Sequence, residues 1–193
     1  MNELSDGREQ DRFNVELKAR VDSLDRVRKV AARLATEHLG RMLQVDTYFA
    51  GCRGRLKLRE IKWLDANSDA ANTNVPNTND LAQLIWYERP DQADAKTSRY
   101  QLVDIADASG LKVALSEAYG VAKIVEKQRE VFLHHNVRIH LDRVKGIGDF
   151  LEFEAVLNSR DEQHRGEQQV AELTAAFGLQ PQWLLLGSYC DML

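Results

Sequence analysis

Several features that would point to a class of function are scarce in this 193-residue sequence. It has two cysteines, Cys52 and Cys190, which lie far apart and match neither a metal-ligand spacing nor the disulfide framework of a secreted protein. A reduced, cytoplasmic setting fits this usage best. No apolar run reaches about eighteen residues and the start is polar throughout, so we expect a protein that neither spans a membrane nor is exported.

An excess of positive charge is also lacking. The formal net charge is −4, which argues against a nucleic-acid partner because phosphate backbones select a basic surface. Hydrophobic residues at 44% and charged residues at 29% fit a soluble globular protein. The length predicts one domain, 12–193, after a polar tail at 1–11. Residues 65–80, rich in Asn, Asp, Ala and Thr, are predicted to form a flexible loop.

What the sequence does contain is strict alternation of apolar and polar residues. In RFNVELKARV, residues 12–21, the two classes alternate at every position, which is typical of a β-strand with one buried face. Similar patterns predict seven more strands, mostly in antiparallel hairpins, at 41–50, 54–63, 81–90, 98–105, 121–133, 135–144 and 148–157. Helices are predicted over 22–40, ending at Gly40, over about 107–119, from 161 onward, and from Pro181.

Charge is segregated on the polar faces of these strands. Residues 55–59 place three cations on one face with no carboxylate among them, and residues 123–129 repeat this arrangement. The cations of these and other strands are Arg55, Lys57, Arg59, Arg89, Lys123, Lys127, Arg129 and Arg138. The carboxylates gather elsewhere, at Glu16, Asp142, Glu152 and Glu154. Any one of these faces could simply be solvated, but the repetition across five strands favours a shared site.

A closed barrel would explain the segregation. Eight antiparallel strands can close around one small ligand, and a charged interior needs such a ligand. Guanidinium groups donate paired hydrogen bonds to phosphate oxygens, whereas carboxylates coordinate Mg²⁺ or Mn²⁺. We therefore predict an α+β fold in which a closed eight-stranded antiparallel β-barrel turns its apolar faces outward under helices. Its ligand would be a nucleotide or another polyphosphate, together with a divalent cation.

The order of these motifs resembles that of the CYTH superfamily, the triphosphate tunnel metalloenzymes. The family opens with Glu-x-Glu-x-Lys, and the matching positions here are Asn14, Glu16 and Lys18. The further matches are GRLKLRE at 54–60, LIWYERPD at 84–91, EKQRE at 126–130 and IHLDRVKGIGDFLEFE at 139–154. The ending GSYCDML is similar to the branch of class IV adenylyl cyclases. Together the matches span roughly 12–193.

The resemblance implies a role for each charged residue. The phosphate-binding residues would be Lys18, Arg55, Lys57, Arg59, Arg89, Lys127, Arg129 and Arg138. Mg²⁺ or Mn²⁺ would be held by Glu16, Glu152 and Glu154, with Asn14 as a further oxygen donor. Catalysis would use Asp142, an acidic candidate near the reacting end, together with Glu16 and Lys18. A homodimer is an additional expectation from the family.

Three functions remain open on this basis. The first is a class IV adenylyl cyclase, in which the ribose 3′-hydroxyl of ATP attacks the α-phosphorus and expels pyrophosphate. The second is hydrolysis of inorganic tripolyphosphate or of an organic triphosphate such as thiamine triphosphate. The third is a nucleotide- or polyphosphate-binding protein with weak or lost turnover. Asn14 keeps this last hypothesis open, because it replaces the first glutamate of the signature and removes one negative charge from the metal end.

Some single residues have more than one interpretation. His140 could contact the substrate, stabilise Asp142 or be purely structural. Of Trp86 and Tyr87, alternation sends only one toward the interior, and the other would pack outside. The apolar run 183–186 is predicted to cap one end of the barrel within the chain, rather than to bind a second copy.

Overall fold

A computed structural model of the chain describes residues 12–64, 80–88, 96–185 and 187–193. The predicted tail at 1–11 lies outside the described residues, as does the predicted loop except for Asp80. Among the helices of the described part, none is both long enough and apolar enough to cross a membrane.

Eight antiparallel strands form a closed barrel, which confirms the predicted fold class. The strands are β1 Arg12–Arg20, β2 Glu37–Phe49, β3 Arg55–Trp63, β4 Asp80–Glu88, β5 Lys96–Asp104, β6 Val121–His134, β7 Val137–Val144 and β8 Gly148–Leu157. Around the barrel they follow the order β1-β5-β4-β3-β2-β6-β7-β8, and β8 pairs again with β1. Neighbouring strands therefore satisfy one another's backbone groups around the whole circumference.

Within the described residues, three α-helices flank the barrel: α1 Leu24–Leu34, α2 Ala108–Tyr119 and α3 Gln163–Ala176. Short 3-10 helices cover Arg160–Glu162, Pro181–Trp183 and Tyr189–Met192. The helix predicted to open at Pro181 is thus a single 3-10 turn, after which Leu184 forms an isolated bridge with Ala19.

The prediction that the first helix continues to Gly40 is wrong at its C-terminal end. Ala35 is already extended, and the backbone N–H of Thr36 donates to the carbonyl of Leu133 at 2.7 Å, which leads the chain into β2. Gly40, with a φ of +106°, lies at a register shift in the β2–β6 ladder. The helical periodicity does not extend the helix here, because β6, which is distant in sequence, supplies the hydrogen bonds.

The main hydrophobic core lies outside the barrel wall, between the strands and the helices. Val15 and Ala19 on β1 and Phe153 on β8 have no exposed surface, and they belong to one cluster with Val27 of α1 and Val170 of α3. The apolar faces of these strands therefore point outward under helices, as predicted. The polar faces are left to line the interior.

The C-terminal segment, which comprises residues 185 and 187–193 of the described chain, closes one end of the barrel. The backbone N–H of Leu185 donates to the carbonyl of Lys18 at 2.9 Å. Tyr189 is buried in a second cluster with Tyr48, Val125 and Phe150, one residue from each of three strands. Of the run 183–186, which was predicted to cap this end, Leu185 packs against that cluster, whereas Trp183 and Leu184 pack against the main core outside the wall. Leu186 lies outside the described residues.

Candidate functional site

The barrel encloses a cavity of about 390 Å³, a volume within the range of small-molecule sites. Side chains from all eight strands line it. The charged lining residues are the cations Lys18, Lys57, Arg59, Lys127, Arg129 and Arg138, and the carboxylates Glu16, Asp46, Glu152 and Glu154. The cations outnumber the carboxylates, although the whole chain has a net charge of −4. The interior is therefore a basic site in an acidic protein.

Three of these residues form one ion-paired group, which we call the Asp46 unit: Asp46 on β2, with Lys57 and Arg59 on β3. Arg59 donates to both oxygens of Asp46, with Nε–Oδ1 at 2.8 Å and Nη2–Oδ2 at 2.9 Å. Lys57 Nζ donates to Oδ2 at 2.9 Å, and Gln44 Nε2 to Oδ1 at 3.1 Å. Burial by itself would raise the pKa of Asp46, but Arg59 and Lys57 hold it well below its usual range.

A second group, the Asp142 unit, consists of Asp142 on β7 with Lys127 and Arg129 on β6. Arg129 donates to both oxygens of Asp142, and its Nε–Oδ1 distance is 2.6 Å. Lys127 Nζ donates to Oδ2 at 3.1 Å, and the Tyr189 hydroxyl donates to the same atom at 2.8 Å. Asp142 has no exposed surface and does not line the cavity. It shares the inward face of β7 with Arg138 and His140, and Lys127, Arg129 and Tyr189 cover it at the closed end of the barrel.

Lys127 is the lysine whose ionisation this packing changes most clearly. Burial, and then the nearby Arg129 guanidinium, lower its pKa to about 7, although Asp142 and Glu152 act in the opposite direction. At neutral pH a large fraction of Lys127 is therefore uncharged in the free protein. An anion in the cavity would favour its protonated form.

The wall formed by β1 and β8 carries carboxylates. The register places Glu16 opposite Glu154, and Lys18 opposite Glu152. Glu152 Oε2 is 3.3 Å from Lys18 Nζ and accepts from Arg129 Nη2 at 2.8 Å. Burial opposes its ionisation, but Lys18 and Arg129 keep the pKa of Glu152 well below its ordinary value. The acidic wall and the Asp142 unit are thus joined through Arg129.

At the same wall, Asn14 and Arg138 both donate to Glu154. The Asn14 Nδ2–Oε1 distance is 2.7 Å and the Arg138 Nη1–Oε2 distance is 3.2 Å. His140 lies between the two glutamates, with Nδ1 3.9 Å from Glu152 Oε1 and Nε2 4.0 Å from Glu154 Oε2. Burial, followed by Arg129, lowers the pKa of His140, so the neutral ring is favoured.

Two buried atoms beside these carboxylates, Asn14 Oδ1 and His140 Nδ1, have no hydrogen-bond partner among the described residues. Buried acceptors are normally satisfied, so an unpaired amide oxygen next to carboxylates suits a bound cation. Carboxylate and amide oxygens are hard donors of the kind that Mg²⁺ and Mn²⁺ take. No ready-made group of three or more His, Cys, Asp or Glu ligands occurs within the described ranges. The donor types therefore fit a divalent metal, while Glu152 and Glu154 are turned toward cationic side chains.

The closed end of the cavity is built by the C-terminal segment. The Tyr189 ring centroid is 4.5 Å from Lys18 Nζ and 4.9 Å from Lys127 Nζ, which places a π-face under both ammonium groups. Arg55 Nη1 donates to Ser188 Oγ at 2.6 Å and lies 2.9 Å from Asp191 Oδ2. Arg55 thereby anchors this segment to β3.

The structure brings together most of the residues that the sequence predicts for the site. The cavity-lining ones are Asn14, Glu16, Lys18, Lys57, Arg59, Lys127, Arg129, Arg138, Glu152 and Glu154. Arg55 and Asp142 do not line the cavity, and Arg89 lies outside the described residues. Tyr87 lines the cavity, whereas Trp86 Nε1 donates to the carbonyl of Arg53 at 2.7 Å, so only one of the pair faces inward, as predicted.

Several residues that line the cavity are not among those that the sequence predicts for the site. Gln44, Asp46 and Tyr48 line the cavity from β2, and their spacing of two in a predicted strand could have identified them. Tyr189 gave no such signal, because it lies in a 3-10 helix where no alternation marks an inward face. Its position depends on how the C-terminal segment folds back over the barrel.

Comparisons with known proteins agree with this architecture. The CYTH domain family model matches residues 12–183. No curated protein sequence matches the chain. A solved structure from Pyrococcus horikoshii is similar, with a TM-score of 0.74 and 21% identity, covering 93% of this chain and 97% of that one.

Two other similar structures carry names that suggest activities. A protein from Vibrio parahaemolyticus, named as a proposed adenylate cyclase, has a TM-score of 0.70 and 20% identity over 95% of this chain and 98% of its own. A proposed adenylyl cyclase from Hippeastrum, described as having a dominant triphosphatase activity, has a TM-score of 0.55 and 14% identity over 92% and 91% of the two chains. At these identities the likeness establishes the fold.

Proposed function

The chain belongs to the CYTH family, and we propose that it is a divalent-metal-dependent enzyme that acts on a triphosphate substrate. The observation that carries this proposal is the pair of Lys-x-Arg segments, Lys57–Arg59 and Lys127–Arg129, which face one cavity opposite a carboxylate wall. A chain of phosphates would bring the negative charge that these cations lack, because Asp46 and Asp142 together balance only part of theirs.

The cations of the two Lys-x-Arg segments would bind phosphate without leaving Asp46 and Asp142. A guanidinium has five N–H donors in a planar fork, and Asp46 occupies two of those of Arg59. Donors that remain on Arg59, Arg129 and the two lysines would contact phosphate oxygens. Lys18 and Arg138 would add contacts from the opposite side of the cavity.

Glu16, Glu152, Glu154 and Asn14 would hold the metal, either Mg²⁺ or Mn²⁺. When bound, such a metal would polarise the phosphorus–oxygen bonds and lower the pKa of the attacking hydroxyl or water. The carboxylates of Glu152 and Glu154 would turn from their cationic partners toward it, while Lys18 and Arg138 would follow the phosphates. Asn14 would supply a neutral oxygen through its unpaired Oδ1.

Asp142 is better suited to positioning than to the catalytic role expected from the sequence. Both of its oxygens already accept hydrogen bonds, and it has no exposed surface through which to meet a substrate. Glu16 and Lys18 therefore remain the candidate catalytic residues, since both line the cavity. Asp142 would act through Lys127 and Arg129.

The reaction that we propose first is that of a class IV adenylyl cyclase, which converts ATP to cyclic AMP and pyrophosphate. The names of solved structures with this fold, and the motifs of the C-terminal half, support it. Hydrolysis of tripolyphosphate or an organic triphosphate such as thiamine triphosphate is the second candidate, favoured by the activity ascribed to the Hippeastrum protein. Binding with little turnover is the third candidate, because the amide of Asn14 is a weaker metal ligand than the glutamate of the family signature.

One assay separates these candidates. The purified protein is incubated with ATP, thiamine triphosphate or tripolyphosphate and with Mg²⁺ or Mn²⁺, and cyclic AMP is separated from released phosphate. Cyclic AMP from ATP is the result expected of a cyclase, whereas phosphate alone identifies a triphosphatase. A rise in melting temperature with tripolyphosphate but no product identifies a binder. No thermal shift with any polyanion overturns the proposed site.

Matched variants show whether the signal comes from the cavity. Arg129→Gln removes a lining cation and should abolish both turnover and the thermal shift. Arg143→Gln changes an arginine with a 64% exposed side chain that pairs with Asp149, and it should leave both intact. Equal behaviour of the two variants would place the activity elsewhere.

Asn14→Glu tests the metal assignment. It restores a carboxylate beside Glu154 and should tighten Mn²⁺ binding by about tenfold or more, because anionic oxygen ligands bind hard cations better than an amide does. Turnover should rise with it. Manganese binding is measured by electron paramagnetic resonance, and Asn14→Ala is the control that should not tighten it. An unchanged affinity in Asn14→Glu would place position 14 outside the ligands of the metal.

A further inference from the structure

The inner face of three neighbouring strands changes from charged to apolar along the length of the cavity. On β3, Lys57 and Arg59 are followed by Ile61 and Trp63, all of them lining residues. On β6, the Lys127–Arg129 segment is followed by Val131. On β2, which runs the opposite way, the inward sequence from Asp46 leads to Met42 and Leu39.

Along the register, the change comes earlier on β3 than on β6. Met42 is paired with Trp63 on one side and with Arg129 on the other. Gln44 is paired in the same way with Ile61 and Lys127. The apolar residues of the three strands therefore adjoin one another and follow directly on the cations. We call this group the apolar patch; it consists of Leu39, Met42, Ile61, Trp63 and Val131.

The apolar patch lies at the end of the cavity away from the C-terminal segment. On β2 and β6, the residues that pack with Tyr189 are Tyr48 and Val125, and the charged residues separate both of them from the patch. Leu39 is 37% exposed and Trp63 is half-buried, so solvent reaches this end. A ligand whose phosphates lie among the cations of the two Lys-x-Arg segments would place any group attached to those phosphates on the patch.

We propose that the substrate is an organic triphosphate whose planar, largely apolar group lies on the apolar patch, and that Trp63 is a residue that determines this specificity. The inference rests on the proposed function, because it assumes that phosphates bind the cations of the two Lys-x-Arg segments. Inorganic tripolyphosphate would leave the patch facing water. A planar ring would remove that surface from water and could stack on the Trp63 indole, both of which are favourable.

The register also relates the patch to the carboxylate wall. Val131 is paired with His140, and His140 with Glu152. The junction between the organic group and its first phosphate would therefore lie within reach of the acidic residues. A substrate of this class uses both parts of the cavity, whereas an inorganic polyphosphate uses only one.

The test compares binding of organic and inorganic triphosphates to the whole protein without divalent metal, so that no turnover occurs. Affinities for ATP, thiamine triphosphate and tripolyphosphate are measured by calorimetry for the wild type, Trp63→Ala and Met42→Ala. We expect Trp63→Ala to weaken at least one organic triphosphate tenfold or more, and Met42→Ala to weaken it severalfold. Tripolyphosphate should bind both variants within about twofold of the wild type.

Trp86→Phe is the matched control, because Trp86 faces away from the cavity, and it should leave every affinity unchanged. Equal losses for organic and inorganic ligands in Trp63→Ala, or no loss for any of them, would overturn the inference. Binding of tripolyphosphate alone by the wild type would also overturn it and would leave the proposed function standing. If the wild type binds no triphosphate either without metal or with Mg²⁺ or Mn²⁺, the proposed function itself fails.

Discussion

The Asp46 unit and the Asp142 unit follow the same local plan in two different hairpins. In each, an aspartate lies directly across the strand pair from an arginine, and a lysine precedes that arginine by two residues. Both units face one cavity from adjacent strand pairs, since β2 pairs with β6. Their surroundings differ. The Lys57 and Arg59 side chains are 10% and 20% exposed, whereas those of Lys127 and Arg129 are 3% and 6% exposed.

The difference follows from what packs around each unit. The Asp142 unit has two additional partners, the Tyr189 hydroxyl on Asp142 and the Glu152 carboxylate on Arg129. Burial, and then the Arg129 guanidinium, lower the pKa of Lys127 to about 7, although Glu152 acts in the opposite direction. One sequence pattern can therefore give two kinds of cation site, one partly hydrated and one deeply buried.

Replacing the aspartate of each unit should give the largest difference between them, in the free energy of unfolding. Asp142→Asn leaves Lys127 and Arg129 in a buried site with one carboxylate fewer, and we expect it to lower the free energy of unfolding by ~3–5 kcal/mol. Asp46→Asn should cost about 2 kcal/mol or less, because water reaches Arg59. Urea unfolding at pH 7 measures both values. Equal losses would show that the difference in burial has no energetic consequence.

Asp142→Asn should also change how stability depends on acid pH. Arg129 and Lys127 outweigh the effect of burial and hold the pKa of Asp142 below its ordinary value of 3.8. Its ionisation therefore stabilises the fold fully above that value, and this contribution is lost as the pH falls toward the lower folded pKa. Wild-type stability should fall in this acid range, and Asp142→Asn should show a smaller fall. An identical slope in the variant would contradict the ionised, paired state of Asp142.

A change of about tenfold in ligand affinity is expected at Lys127. Because its pKa is about 7 in the free protein, binding of tripolyphosphate requires proton uptake above that pH. Metal-free affinity should therefore fall roughly tenfold between pH 7 and pH 8.5. Lys127→Arg keeps its charge and should remove this dependence. Lys57→Arg, the matched change in the Asp46 unit, should retain it, and a flat wild-type profile would contradict the prediction.

The smallest effect is expected at the two tyrosines. Tyr189→Phe removes one of the hydrogen bonds to Asp142 and should destabilise the protein by about 1 kcal/mol. Tyr48→Phe removes a hydrogen bond shared with Tyr87 and a hydroxyl 3.5 Å from Lys57 Nζ, and it should cost less, because Tyr189 donates to an ionised carboxylate. Thermal unfolding of the two variants measures both changes. A larger loss in Tyr48→Phe would reverse the comparison.

The sequence predicted much of this site through periodicity alone. Alternation identified the strand at 12–21 and placed Glu16 and Lys18 on the face that lines the cavity. The same alternation places Asp46 on the lining face, although Asp46 stands alone among apolar and neutral residues and not in a run of like charges. Alternation could not separate Arg55 from Lys57, since both have the same parity, and only the position of the C-terminal segment distinguishes them.

The helix that was predicted too long shows the same limit. Residues 35–40 continue a plausible helical pattern, yet they pair with β6, about a hundred positions further along the chain. No local pattern contains this information, because the competing hydrogen bonds come from a distant strand.

By itself, the sequence determined which residue types share a strand face, because the β-strand has a period of two whatever surrounds it. It thereby determined that the chain has one apolar and one highly charged set of faces. Only the tertiary structure decided that Tyr189 forms one end of the barrel, and that Asp142 is covered there while Asp46 lines the cavity. These outcomes depend on barrel closure and on contacts between segments far apart in sequence, which set burial and therefore the charge state of each group.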